Sequence, residues 1–355
     1  MKICLIYPHL PPVVDGVGEY TCHLARELAA LGAEVVVITS RVEGEPCRVR
    51  PLPECVALDR GVESWGLRGL SLLLRKVSAT GCDVVSIQYT PFAYTRGKLG
   101  LAINLLPHLL RGRVKARVAV TLHEPWIPFT FGPGQWLPAA WQRIATGWMV
   151  SGCDHVIVTT ERRRRQVQRL MFPSGSQVKM IPVGSNIPFI PADREETRRR
   201  LGASPHETLF VTFGTTLPHR DFCAAYRCLK RLRDDGVACR LVNVGKVTNE
   251  ARLQRLNRLE AELGLQEVVG WTGYQDAATV SSFLQAADVY LGPDRLGVST
   301  RQTSLMAGLL HRLPVVGWRG PETDPLLERS GAIVFSDAGD EKGMAEAMKA
   351  AAVSP

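Results

Sequence analysis

Long hydrophobic runs are missing from this 355-residue chain. No segment reaches the roughly 18 uninterrupted apolar residues of a membrane-spanning helix. The opening run Cys4-Leu5-Ile6-Tyr7 stops at Pro8, which predicts a short buried strand and not a signal peptide. The nine cysteines, an odd number, include no C-x-x-C pair. With Cys4, Cys82, Cys153 and Cys239 in or beside apolar runs, they read as small buried thiols of a reducing cytosol, not as a zinc site or a disulfide framework. No G-x-G-x-x-G fingerprint follows the first apolar run, which excludes the usual nicotinamide-dinucleotide turn. Acidic residues are the scarcer charge, 34 against 43 Lys and Arg, for a net charge of +9. The basic residues cluster at 111–117, Arg162 to Arg165 and Arg198 to Arg200. No aromatic residues interleave with these runs, so nucleic acid is not an expected partner. Peripheral contact of a cytoplasmic protein with anionic membrane, or a plain solvated helix face, are the two readings left.

What the sequence does contain is a rhythm. Short apolar runs at Lys2 to Tyr7, Glu34 to Thr39, Val84 to Ile87, Val118 to Leu122 and His155 to Thr159 are separated by helix-length segments. After Pro8 to Gly18, a loop by composition, the apolar spacing over Tyr20 to Leu31 is helical and Gly32 is its stop. The rhythm restarts with strands at Thr208 to Phe213, Cys239 to Val244, Glu267 to Trp271, Val289 to Leu291, Pro314 to Gly317 and Ala332 to Phe335. Helices are expected over Phe222 to Asp234, Glu250 to Leu263, Ala277 to Ala286 and Thr303 to His311. Continuous apolar strands between helices indicate parallel sheets covered on both faces. The Pro- and Gly-rich stretch Pro182 to Pro191 breaks both patterns. It divides the chain into two expected domains, 1–188 and 189–355, with ligands at the carboxyl ends of the strands.

Several loops at those ends carry chemistry. Asp15-Gly16-Val17-Gly18-Glu19-Tyr20 opens a helix; its glycines admit a ligand to the backbone and the helix start offers N–H groups, although a tight turn would use the same residues. His123 ends the run Val118 to Leu122, where a neutral or positive imidazole can meet a sugar hydroxyl or a developing charge. Gly214 and Thr215 follow Phe213, and Arg220 offers a fork of donors to a diphosphate. In Gly297-Val-Ser299-Thr300-Arg301-Gln-Thr303-Ser304, Ser299 or Thr300 is a candidate helix cap and Arg301 faces an anion. Gly320-Pro-Glu322-Thr323-Asp324 follows the strand that carries Val315-Val316.

These residues, in this order, resemble the family 4, or group 1, glycosyltransferases over nearly the whole chain. The carriers are Gly16-Val-Gly-Glu-Tyr20 with Leu24-Ala25-x-x-Leu28, Thr121-Leu122-His123, Pro182 to Pro188, Gly270 to Gly273, Ala286-Ala-Asp288-Val289, and Ser304 through Val316 with Glu322-Thr323-Asp324. The resemblance implies an α/β protein of the GT-B fold, two doubly wound Rossmann-like parallel-sheet domains facing across a cleft. It implies a retaining, metal-independent hexosyltransferase for glycoconjugate or polysaccharide synthesis, without cofactor. The nucleotide-sugar donor would lie on the C-terminal domain and an unidentified acceptor on the N-terminal one. His123, Arg220, Arg301 and Glu322 would be catalytic. Gly16, Gly18, Gly214, Thr215, Ser299, Thr300, Thr303, Ser304, Thr323 and Asp324 would bind the donor.

The family commonly carries two glutamates eight residues apart, where this chain has Ser299 and Ala307; Gly297-Val-Ser299-Thr-Arg301 is similar to the Gly-x-Ser-x-Arg pattern of a subset. The family's lysine-glycine pair is here Arg220-Asp221. The departures leave a non-catalytic nucleotide-sugar-binding role open. A nucleotide-sugar epimerase would use the same phosphate contacts.

Overall fold

The computed structural model describes residues 1–11, 13, 15–41, 52–94, 102–127, 129, 134, 136–170 and 177–353. Pro12 and Val14 of the first loop lie outside them. The chain divides into two compact units, Met1–Pro182 and Val183–Pro355.

In the first unit the order is β1 (Lys2–Ile6), α1 (Gly16–Ala30), β2 (Glu34–Ser40), β3 (Val56–Val62), α2 (Leu67–Thr80), β4 (Val84–Tyr89), α3 (Ala102–Leu110), β5 (Arg117–Leu122), α4 (Trp136–Ser151), β6 (His155–Val158), α5 (Glu161–Leu170) and β7 (Gln177–Met180), with a 3-10 turn over Pro91–Ala93. The seven strands form one parallel sheet in the order β3-β2-β1-β4-β5-β6-β7. Central strands such as β2, EVVVITS, are β-branched and bury Val35, Val37 and Ile38 completely, as a sheet covered on both faces requires.

In the second unit the order is α6 (Arg194–Arg200), β8 (Thr208–Phe213), α7 (Phe222–Asp234), β9 (Cys239–Val244), α8 (Glu250–Leu263), β10 (Val269–Trp271), α9 (Ala277–Ala286), β11 (Val289–Gly292), α10 (Thr303–Leu310), β12 (Val315–Arg319), α11 (Pro325–Arg329), β13 (Ile333–Asp337) and α12 (Glu341–Val353). The six strands, also parallel, run β10-β9-β8-β11-β12-β13. Alternate residues serve two cores: Phe210, Leu241 and Val316 pack on one face, Leu209, Val211, Val242 and Val315 on the other.

Both sheets reverse direction at their first strand, β1 between β2 and β4 and β8 between β9 and β11. Such a reversal opens a crevice beyond the carboxyl ends of the two diverging strands.

Two expectations about the backbone change. Helix α1 begins at Gly16, not near Tyr20, because Asp15 caps it: its Oδ1 accepts from the Gly18 amide at 2.7 Å. The units divide between Pro182 and Val183, not after residue 188, because the intervening segment is tied to the second unit. Val183 N donates to Thr300 O at 3.0 Å, Ile190 N donates to Ser281 Oγ at 3.0 Å, and Ile187 is buried in that unit's core.

The basic run Arg198 to Arg200 is largely structural. The Arg198 guanidinium, 8% exposed, donates to Asp288 Oδ2 at 2.9 Å and to the carbonyls of Ala286, Ser204 and Glu207. Arg199 pairs with Glu196 at 2.5 Å. Among the described residues no disulfide forms, and no helix is long and apolar enough to cross a membrane.

Candidate functional site

In the first unit the crevice beyond β1 and β4 collects Asp15, Gly16, Gly18, Tyr20 and His123. His123 follows β5 and is 8% exposed. Its ring meets Tyr20 of α1 edge-on, with centroids 4.7 Å apart. Nε2 lies 3.0 Å from Gln88 Oε1 in the neighbouring strand β4. The Gln88 amide nitrogen donates to Ser86 Oγ at 3.0 Å, so its oxygen accepts and Nε2 carries the proton. Nδ1 then carries the lone pair. Burial, and secondarily the Arg163 guanidinium, push the imidazole down to about 3 from its usual 6.5. His123 is therefore neutral. It can accept a hydrogen bond from a sugar hydroxyl, whereas the positive form allowed by the sequence is excluded at ordinary pH.

The two glycines differ. A Cβ on Gly18 would lie 2.0 Å from the His9 carbonyl oxygen, and its amide is already bound to Asp15. Its need for glycine is thus met inside the fold, not by a ligand. Beside Gly16 nothing lies within 4 Å of the Cβ position, so this backbone is open to approach. Asp15 is itself fixed by Tyr7, whose hydroxyl donates to Oδ1 at 2.8 Å.

In the second unit the crevice beyond β8 and β11 is cationic. Gly214, the residue after β8, has φ +106°, a conformation that favours glycine. The Arg220 guanidinium lies over it: a Cβ on Gly214 would be 3.2 Å from Arg220 Nη1 and 3.6 Å from Ser304 Cβ. Arg220 Nη1 donates to Phe213 O at 2.9 Å and Thr215 O at 3.1 Å, which fixes the fork at the strand end. Tyr290 of β11 is buried against Ser304, and its close packing requires Gly308, where a Cβ would meet the ring at 2.7 Å. Across from Arg220, the buried Asp294 lies 3.4 Å from His219. Burial raises the Asp294 carboxyl, opposed by His219, Arg220 and Arg301; burial lowers His219, opposed by Asp294 and reinforced by Arg301, Arg220 and Arg252. Arg220 and Arg301 thus both lie within electrostatic reach of the Asp294–His219 pair.

Helix α10 starts there. Helices α6, α7, α8, α9 and α11 each begin under an Asp or Asn side chain that accepts a backbone N–H. At α10 the cap is Gln302 and no side chain accepts. Its first-turn amides, at Thr303 and Ser304, keep their capacity and their partial positive charge for an anion.

Neither Ser299 nor Thr300 caps α10, contrary to expectation. Gln302 turns away from the helix: Oε1 accepts from Ser299 N at 3.1 Å and Nε2 donates to Asp294 Oδ2 at 2.8 Å. Ser299 and Thr300 are fully buried. Thr300 Oγ1 donates to Asp324 Oδ2 at 3.2 Å, while Asp324 Oδ1 accepts from Leu326 N at 2.9 Å and caps α11. Thr323 Oγ1 accepts from Gly320 N at 2.9 Å, and Glu322 N donates to Leu296 O at 2.7 Å. Thr300, Thr323 and Asp324 therefore brace one loop against the next. The structure gathers Gly214, Thr215, Arg220, Arg301, Thr303 and Ser304 at one crevice, with Glu322 on the braced loop beside it.

Sequence reasoning did not single out His219, Asp294, Arg252, Gln302, Tyr20 or Gln88. His219 and Asp294 are 75 positions apart in the chain, and the pairing of β8 with β11, with the Arg220–Asp294 bridge beyond it, joins them.

Two family profiles match the chain: Glycosyltransferase Family 4 over residues 14–187 and Glycosyl transferases group 1 over residues 208–352. No curated protein matches it. Among solved structures it is similar to sucrose-phosphate synthase from Thermosynechococcus elongatus, with a TM-score of 0.70, 16% identity, and coverage of 100% of this chain and 90% of the other. It is similar to Anabaena Alr3699/HepE in complex with UDP and glucose, with a TM-score of 0.67, 15% identity and coverage of 99% and 89%. It is also similar to WaaG, a glycosyltransferase involved in lipopolysaccharide biosynthesis, with a TM-score of 0.64, 16% identity and coverage of 99% and 90%. At these identities the likeness speaks for the fold, which is that of the GT-B glycosyltransferases.

Proposed function

Because the chain belongs to the family 4, group 1 glycosyltransferases, we propose that it transfers a hexosyl group, with retention, from a nucleotide-diphospho-sugar bound on the second unit to an acceptor bound on the first. The observation that carries this reading is the meeting of Arg220, Arg301 and the uncapped start of α10 beyond β8 and β11. Departure of the nucleoside diphosphate is the demanding step, and preoriented positive groups at the leaving oxygens lower its barrier. Two guanidiniums and a helix start supply that charge from the chain itself, without a metal or cofactor. The HepE complexes with UDP and UDP-glucose support a nucleotide-sugar as donor. Within the first unit neutral His123 offers an acceptor to a sugar hydroxyl, and within the second Glu322 is the carboxylate on the loop beside the cationic crevice. The acceptor is a glycan, a lipid-linked sugar or a small molecule.

A second reading rests on Ser299 and Ala307. Both are fully buried, and neither position holds the carboxylate the family commonly places there. A protein that binds nucleotide-sugars without turnover, or an epimerase that needs no acceptor, uses the same crevice. Incubation with a panel of nucleotide-sugars, with and without acceptors, separates the three. Nucleoside diphosphate release that depends on acceptor supports transfer; conversion of the sugar alone supports epimerisation; thermal stabilisation without turnover supports binding.

A further inference from the structure

Helix α4 is apolar on both of its sides. Its inner side buries Ala139, Ala145, Met149 and Val150. Its outer side carries Leu137, Trp141, Ile144 and Trp148, which are 84%, 37%, 65% and 54% exposed. The spacing of four, three and four residues sets them in a single stripe along the helix. Trp136 and Phe129 extend the stripe at its start, where Trp136 Nε1 donates to Phe129 O at 3.0 Å. Single exposed apolar residues are ordinary, but a contiguous stripe with three tryptophans marks a surface that something covers.

The charge around the stripe is of one sign. Between Glu124 and Asp154 the chain has no acidic residue, and none lies between Asp83 and Glu124. At the end of α4, Trp148 stacks on His108 of α3, with ring centroids 4.5 Å apart. Three residues past His108 begins the exposed series Arg111, Arg113, Lys115 and Arg117. On the other side α5 packs on α4 and exposes Arg162, Arg165 and Arg169. Two carboxylates that flank α5 and β6 are engaged by arginines: Glu161 by Arg164 and Arg165, Asp154 by Arg117 at 3.5 Å. Within the run Arg162 to Arg165, Arg163 is spent on the His123 carbonyl and Arg164 on Glu161. That run alone is therefore a poor membrane patch.

We propose that the outer face of α4 lies on an anionic lipid bilayer. Leu137, Trp141, Ile144 and Trp148 enter the headgroup–acyl boundary, and the arginines after α3 and on α5 meet lipid phosphates. Indole rings, apolar with one N–H donor, suit that boundary, and an amphipathic surface flanked by Arg and Lys is attracted to it. A second copy of the chain fits less well. A two-fold interface brings the same patch against itself, and here it would oppose basic clusters with no carboxylate to receive them.

Vesicle binding needs neither donor nor acceptor, so its outcome is separate from sugar transfer. The full-length protein is co-sedimented with phosphatidylcholine vesicles and with vesicles that also contain phosphatidylglycerol. The expected result is binding to the anionic vesicles, weakened by salt. Trp141→Ser with Ile144→Ser should lower the partition coefficient by at least about tenfold, given the apolar area removed, with an unchanged melting curve. Arg111→Ser with Arg113→Ser should reduce the preference for anionic lipid. Absence of wild-type binding, or equal binding by the Trp141/Ile144 variant, overturns the proposal. So does a concentration-dependent dimer in sedimentation velocity that the same variant dissolves, which would assign the face to a second copy.

Discussion

Gly297 and Thr323 stand so close that a Cβ on Gly297 would lie 2.1 Å from Thr323 Oγ1. The same Cβ would be 2.6 Å from Gly320 N, and Gly297 has φ +91°. The loop that carries Arg301 is thus seated on the loop that carries Glu322 through a contact only glycine allows. Gly297→Ala combines a steric clash with backbone strain, each a recognised source of large losses. It should cost about 2–4 kcal/mol in chemical denaturation, and kcat/KM should fall as Arg301 shifts. An unchanged denaturation midpoint would show that the two loops separate freely.

The arginines divide by what they hold. Arg301 is partly exposed beside the α10 start, so its loss should leave the fold intact. Removal of one preoriented charge-stabilising group costs roughly 10²–10³ in kcat, and Arg301→Ala should fall in that range with an unchanged melting temperature. Arg220 also donates to Phe213 O and Thr215 O. Arg220→Lys keeps the charge but loses the fork, so donor affinity and melting temperature should decline together. Wild-type turnover in the Arg301 variant would remove it from the mechanism.

Ser299 Oγ is buried without a hydrogen-bond partner among the described residues. An unsatisfied buried hydroxyl is a cost, so its removal should be neutral or favourable. Ser299→Ala is expected to match wild type in denaturation, or exceed it by up to about 1 kcal/mol. A loss of more than 2 kcal/mol would mean that the hydroxyl is bonded in solution.

The sequence was most legible where burial is two-sided. β8, α7, β9, α8 and α9 lie where apolar run and helical period place them, because both sheet faces are covered and the helices begin under recognisable Asp or Asn caps. The strands it hid are β3 and β7, both at the ends of the seven-stranded order. An edge strand is not buried on both faces, and Val56–Val62 interrupts its apolar residues with Asp59, Arg60 and Gly61, so no continuous run announces it. Loop residues at strand ends were legible as a group, since the parallel fold gathers them at the carboxyl edge. Their individual roles were not. Whether Thr300 faces a ligand or a neighbouring loop depends on Asp324, and whether Gly18 serves a substrate or the His9 carbonyl depends on how the first loop folds back. The exposed stripe of α4 was hidden for a related reason: its apolar spacing is that of any packed helix, and only burial separates the side that packs from the side that does not.

His123 ties the first crevice to pH. In the folded chain its imidazole is held down to about 3, chiefly by burial, against about 6.5 when unfolded. The unfolded chain therefore binds the extra proton at higher pH than the folded one. Its contribution to stability is fully present above about pH 6.5 and is lost progressively as pH falls toward 3, at about 1.4 kcal/mol per pH unit. Between pH 6.5 and 5 that amounts to about 2 kcal/mol from this one group. His123→Gln preserves a donor for Gln88 Oε1 but does not titrate. Other histidines, among them His23 and His311, are also lowered by burial, so the variant and the wild type must be compared at the same two pH values. The variant is expected to lose about 2 kcal/mol less than wild type when urea denaturation is repeated at pH 7.5 and pH 5. Equal losses would mean that His123 is solvated or protonated in the folded protein, and the neutral acceptor assigned to it would have no basis.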